Sequence, residues 1–169
     1  MISGVDAIYI FSPGVLPWMT VTPESVLYKL FLTPYIYYLD AVLLYDSNRT
    51  EYEIKIIGDA SESSFTYNGT EIDSARFKTF YQYLLSAYAE QIYNEELTDE
   101  NKFIAGFTYD HRDEGKESDV VEFYSSDSDR TCIITVNGDV RYKVRQVYAT
   151  RLLENLDALL NGGEIKTDF

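Results

Sequence analysis

The chain has 169 residues, 46% of them hydrophobic and 25% charged, with a net charge of −14 at pH 7. That length suits one domain, or two small lobes on a shared core, and the apolar share can fill a core without disulfide or metal staples. An acidic chain with no basic face large enough to follow a phosphate backbone is not expected to bind nucleic acid.

The first residues, Met1-Ile-Ser-Gly-Val-Asp6, lack the basic start of a signal peptide and read as sequence that begins inside a strand, as expected of a piece cut from a longer protein. No run reaches the eighteen or so apolar residues that cross a bilayer, so this segment is not expected to insert directly. Residues 7–11 read as a short strand. Thr22-Pro23-Glu24-Ser25 reads as a helix start, with proline at the first helical position.

Leu39 to Asp46 is predicted to be a strand, and the alternation in Tyr52-Glu-Ile-Lys-Ile-Ile57 predicts a second. Ser64-Phe-Thr-Tyr67 runs into an Asn68-Gly69 turn. The clearest helix follows: Phe77, Phe80, Tyr81, Leu84, Leu85, Tyr88 and Ile92 recur at helical spacing, with Asp73 or Ser74 as cap. The acidic stretch from Glu95 to Lys102 is the expected junction between two units.

Beyond it, strands are predicted near 103–110, 119–125 and 131–136. The Asn137-Gly138 hairpin dipeptide and a return strand Val140–Val144 follow. A last helix is expected to carry Val144, Tyr148, Leu152, Leu156, Leu159 and Leu160 inward and to stop at Gly162-Gly163. Ile104-Ala-Gly-Phe-Thr-Tyr-Asp110 echoes Leu39-Asp-Ala-Val-Leu-Leu-Tyr-Asp46, and both copies lead to an Asn-Gly pair and then a helix. The fold class expected is α+β: two related ββ(β)α repeats with a largely antiparallel sheet and helices packed on one side, preceded by a short β-α segment. Residues 1–38 would pack on the core, with 39–97 and 98–169 as the repeats of one compact unit.

Chemistry is sparse. His111 and Cys132 are single representatives of their types, which excludes the usual zinc donor sets, and no cofactor is expected. Cys132, in an alternating apolar run, reads as a small core residue. His111 lies in Asp110-His-Arg-Asp-Glu114, read as a solvated strand end rather than a catalytic base, with no nucleophile identifiable beside it. Ser126-Asp-Ser-Asp-Arg130 lacks the glycine and terminal glutamate of a calcium loop and reads as a turn. Asn48-Arg-Thr50 and Asn68-Gly-Thr70 match the glycosylation sequon, the second better explained as a turn. The candidate interaction patch is Arg141, Tyr142, Lys143 and Arg145. Its basic side chains alternate along one strand, where they could also offset acidic neighbours or blunt an exposed edge. Sixteen tyrosines suit half-buried strand faces, or alternatively a stacking platform for glycans or peptides.

Several segments together resemble the DUF4340 family of bacterial envelope-associated domains. They are Ile8-Tyr-Ile-Phe-Ser-Pro-Gly-Val-Leu-Pro-Trp18, Tyr52-Glu-Ile-Lys55, Tyr67-Asn-Gly-Thr-Glu-Ile-Asp73 leading into Phe77–Leu85, Thr135-Val-Asn-Gly-Asp139 and Leu152-Leu-Glu-Asn-Leu156. These motifs are structural, and the resemblance carries over no catalytic residue. It implies a non-enzymatic extracytoplasmic domain of a larger protein, anchored through a segment not in this chain. The implied partner is another envelope or membrane protein, such as a component of an ABC-type transport or gliding-related system. The competing functions are a glycan- or peptide-binding module and, behind it, a hydrolase using paired carboxylates. Oligomeric state is not legible.

Overall fold

The computed structural model describes residues 32–168, with the backbone alone described at Ser61 and Arg141. The predicted strand at 7–11 and the helix from Thr22 lie outside the described residues. The described chain is α+β, an antiparallel sheet with two helices. In chain order its elements are β1 (Leu39–Tyr45), β2 (Glu51–Ile57), β3 (Ser64–Tyr67), β4 (Thr70–Ile72), α1 (Ser74–Leu85) and β5 (Gln91–Ile92). Then come β6 (Phe103–His111), β7 (Asp119–Ser125), β8 (Thr131–Val136), β9 (Asp139–Arg145) and α2 (Gln146–Asn161).

All nine strands form one sheet, in the order β4-β3-β2-β1-β6-β7-β8-β9-β5. β1 and β6, the two strands with echoing sequences, lie side by side at its centre, with Val42 opposite Tyr109 and Leu44 opposite Phe107. From this seam β2, β3 and β4 follow outward on one side, and β7, β8 and β9 on the other. Each pairs with its neighbour in sequence, because short turns leave antiparallel pairing as the local choice. The far edge breaks this rule, since β5 precedes β6 in the chain but pairs with β9.

One face of the sheet carries the core. Val42, Leu44, Ile54, Ile56, Phe65, Ala105, Phe107, Tyr109, Val121, Phe123, Cys132 and Ile134 are buried there against Phe77, Phe80, Tyr81, Tyr83 and Leu84 of α1 and Tyr148, Leu152, Leu156 and Leu159 of α2. Strand residues alternate in and out with period two, and helix residues recur every three to four, which supplies both halves of this interface. The helices are antiparallel neighbours. Arg76, in the first turn of α1, donates to the carbonyls of Ala158 (2.7 Å) and Gly163 (2.6 Å) at the end of α2. At the other end the Tyr83 and Tyr148 rings stack at 4.8 Å. The Tyr83 hydroxyl donates to the Tyr148 carbonyl, and the Tyr148 hydroxyl to the Leu84 carbonyl at 2.9 Å. Each phenol thereby satisfies a main-chain acceptor of the opposite helix, which makes two buried polar groups tolerable.

Tyr109 has no such partner among the described residues. It is fully buried, its ring lies 5.8 Å from Tyr81 and 5.2 Å from Phe107, and its hydroxyl makes no hydrogen bond to any of them. Burial pushes that hydroxyl well above its usual pKa. Tyr109→Phe removes an unpaired polar atom without opening space, so the variant is expected to be as stable as the parent or up to about 1 kcal/mol more stable. Urea denaturation checks this, and a clear loss of stability would show that the hydroxyl is held after all.

The predicted elements are corrected in four places. The α1 stripe stops at Leu85: the Ser86 hydroxyl bonds back to the Tyr83 carbonyl at 2.5 Å, and Tyr88 and Ile92 lie beyond the helix. Val144 belongs to β9, because Gln146, not Val144, begins α2. β4 and β5 are additional strands. The cap at Asp73 stands as expected, its carboxylate accepting from the Arg76 amide at 2.9 Å, and Gly162 ends α2 with φ +87°, a conformation that glycine adopts without strain.

Candidate functional site

β9 positions the basic row. Alternation sends Tyr142 to the helix-covered face, where it packs on the core, while Lys143 and Arg145 project from the opposite face. The four residues of the predicted patch therefore do not share one surface. β9 is also only partly an edge, because Gln91 and Ile92 of β5 pair with Lys143 and Tyr142.

The two cations are engaged within the chain. Lys143 Nζ lies 2.6 Å from Asp127 Oδ1 and 5.1 Å from the centre of the Tyr93 ring. Its side chain is only 15% exposed. Hydrogen bonding to Lys143 holds the Asp127 carboxyl below the usual carboxylate value. Arg145 Nε lies 2.5 Å from Glu90 Oε1, and the same contact raises the guanidinium's already high pKa. Lys143 and Arg145 are thus compensated by Asp127, from the β7–β8 turn, and by Glu90, from the strap that leads into β5.

Two depressions adjoin this edge and share Gln91, Asp127 and Lys143 as a common wall. One, of about 770 Å³, is lined by Arg130, Arg145, Glu90, Gln146 and Thr150 among others. The second, of about 680 Å³, is lined by Tyr93, Asn94, Glu95, Asn101 and Ser126 among others. The exposed Arg130 guanidinium makes no ion pair among the described residues. The lining residues are mostly polar or charged, of both signs, and offer hydrogen-bonding groups beside the aliphatic stems of the same side chains. Among the described residues no group of three or more His, Cys, Asp or Glu is placed to hold a metal.

His111 is not a solvated residue. It ends β6 with its side chain 3% exposed, and Nε2 lies 2.8 Å from Asp119 Oδ2. Asp119 also receives Asn137 Nδ2 at 3.1 Å and lies 3.6 Å from Lys116 Nζ. Partial burial works to raise the Asp119 pKa, but the bonds from His111 and Asn137 outweigh it and hold the carboxyl below its usual value. The group ties β6, β7 and the β8–β9 turn together. Cys132 is fully buried as expected, and burial pushes its thiol up to about 12, which leaves little reactive thiolate at neutral pH. Ser126–Arg130 forms a turn, its Ser126 hydroxyl donating to the Thr131 carbonyl at 2.7 Å.

The tyrosines divide. Tyr81, Tyr83, Tyr109 and Tyr148 are core residues, whereas Tyr35 and Tyr38 are 58% and 69% exposed with ring centres 5.3 Å apart, edge to face. The carboxylates with resolved shifts, Asp46, Asp119 and Asp127, are all lowered, which is opposite to what a general acid needs. In the sequence Asp127 and Arg130 read only as part of a turn, which the β7–β8–β9 hairpins set beside Lys143 and Arg145. Glu90 escapes the sequence reading because only the crossing of β5 to β9 brings it to the same edge. The chain matches no protein-family model, no curated protein and no solved structure.

Proposed function

We propose that this chain is a non-enzymatic interaction domain, an extracytoplasmic part of a larger bacterial envelope protein, accessory to an ABC-type transport or gliding-related system. In this reading it consists of two related ββ(β)α repeats, residues 39–97 and 98–169. The repeat is supported by the adjacency of β1 and β6 and by the matching turns, in which Asn68 and Asn137 have φ of 49° and 52°. The observation that carries the interaction reading is the mixed-charge double depression along the β5/β9 edge, where Lys143 and Arg145 are already oriented by acidic partners and Arg130 makes no ion pair among the described residues. Among the described residues no helix is long and apolar enough to cross a membrane. In this reading the anchor lies in a segment outside this chain, as the resemblance to the DUF4340 family implies.

The test is capture from detergent-solubilised envelope with this domain as bait, against a variant carrying Arg130→Ala, Lys143→Ala and Arg145→Ala. The two ion pairs are partly open to solvent and contribute little to stability, so the variant is expected to stay folded. A membrane protein retained by the parent and lost with the variant is the expected result. Equal retention would remove this edge as the contact surface. A second reading, a glycan- or peptide-binding module, draws on the exposed Tyr35–Tyr38 pair. It predicts a thermal shift with a soluble oligosaccharide or peptide that Tyr38→Ala abolishes.

A further inference from the structure

We propose that Asn68 is a site of spontaneous covalent modification, converting to aspartate and isoaspartate in the folded protein, while its counterpart Asn137 is held unreactive. Asparagine followed by glycine is prone to this chemistry because the glycine main-chain nitrogen is sterically open. The nitrogen of Gly69 loses its proton to solvent base and attacks Asn68 Cγ. The bond from Cγ to the side-chain nitrogen breaks, and ammonia leaves carrying the proton. The five-membered succinimide then adds one solvent water at either carbonyl, giving aspartate or its main-chain isomer. No electron transfer is involved, and water is the sole co-reactant.

The main chain treats the two pairs alike. Asn68 and Gly69 have φ of 49° and 76°, Asn137 and Gly138 52° and 81°, and neither glycine has an atom within 4 Å of the place a Cβ would occupy. All four residues are exposed. The difference lies in the amide side chains. Asn137 Oδ1 accepts from the Val120 amide at 2.7 Å, and Asn137 Nδ2 donates to Asp119 Oδ1 at 3.1 Å. The Asn137 main-chain amide donates to the Val120 carbonyl at 2.8 Å. These bonds turn the carboxamide toward β7 and oppose the rotation that brings Cγ onto the Gly138 nitrogen. The Asn68 side chain makes no hydrogen bond among the described residues, so it is free to rotate onto Gly69. Conversion adds a negative charge at the tip of the β3–β4 hairpin, and the isoaspartate form adds a main-chain carbon there. The hairpin borders a depression of about 610 Å³ shared with Leu159, Leu160 and Gly162 at the end of α2.

The test uses the full chain, incubated at mildly alkaline pH, with ammonia release, peptide mapping and isoaspartyl methyltransferase labelling as readouts. Product at position 68 is expected to exceed that at 137 by an order of magnitude in the folded chain, with the two rates converging in urea. Asp119→Ala, which removes one bond to the Asn137 amide, is expected to raise the rate at 137. The folded-against-urea comparison stands even if that variant does not fold. Equal rates in the folded chain, a faster Asn137, or an Asn68 that reacts only in urea would overturn the proposal.

Discussion

Replacing Phe123 by alanine is expected to destabilise the chain by about 4 kcal/mol, within the range for deleting a buried aromatic ring. Phe123 is fully buried on β7, and its ring centre lies 6.1 Å from that of Phe107 on β6 and 5.3 Å from that of Tyr148 on α2. It therefore fills the space where the sheet meets α2, and main-chain ladders on both sides keep the strands from collapsing into the cavity left behind. Phe123→Leu retains most of the volume and is expected to cost less than half as much. Equilibrium urea unfolding measures both: the midpoint should fall while the dependence on denaturant stays constant. A cost below about 1 kcal/mol for the alanine variant would mean that α2 packs more loosely on β7 than the ring contacts imply.

Arg112 is the second residue whose loss is expected to be severe. It follows β6 and reaches over two strands, with Nε donating to the Leu39 carbonyl at 2.8 Å and a terminal nitrogen to the Ile56 carbonyl at 2.9 Å. The other terminal nitrogen meets Asp59 at 3.0 Å, and the Arg112 main-chain amide donates to the Tyr38 carbonyl at 3.0 Å. One planar fork thus holds the start of β1 and the end of β2 to the end of β6. Arg112→Met removes two charge-assisted bonds to partly buried carbonyls and is expected to cost about 3 kcal/mol. Lysine should not rescue it, because a single ammonium cannot span both acceptors. Asp59, whose carboxylate is 97% exposed, should be replaceable by alanine at a cost of well under about 1 kcal/mol. If Asp59→Ala proved as damaging as Arg112→Met, the ion pair rather than the carbonyl clamp would be the source of stability.

The sequence reading succeeded where one short stretch contains its own pattern. β2 and β7 alternate clearly, the Asn-Gly pairs specify tight turns, Asp73 precedes an apolar helical stripe, and Gly162 ends one. Where it failed, the deciding partner is distant in sequence. β4 is three residues with only Ile72 buried, and β5 is two residues with no period to detect. Tyr88 and Ile92 extend the α1 stripe by spacing alone, but pairing with β9 diverts the chain. His111 looks like part of a charged loop until Asp119 and Asn137 close around it. The candidate site was half legible: Lys143 and Arg145 stood out as cations, whereas Asp127 and Glu90, which orient them, required the fold.

The position of β5 sets the order of synthesis against the order of closure. Glu90 and its partner Arg145 are 55 positions apart, and the strap that carries Glu90 emerges from the ribosome before any part of β6 to β9. Neighbouring strands can zip as they appear, but Gln91 and Ile92 must wait unpaired until β9 is complete. A segment from the middle of the chain is thus the finishing piece of its edge, and the groove beside Lys143 exists only once the strap has returned to meet it.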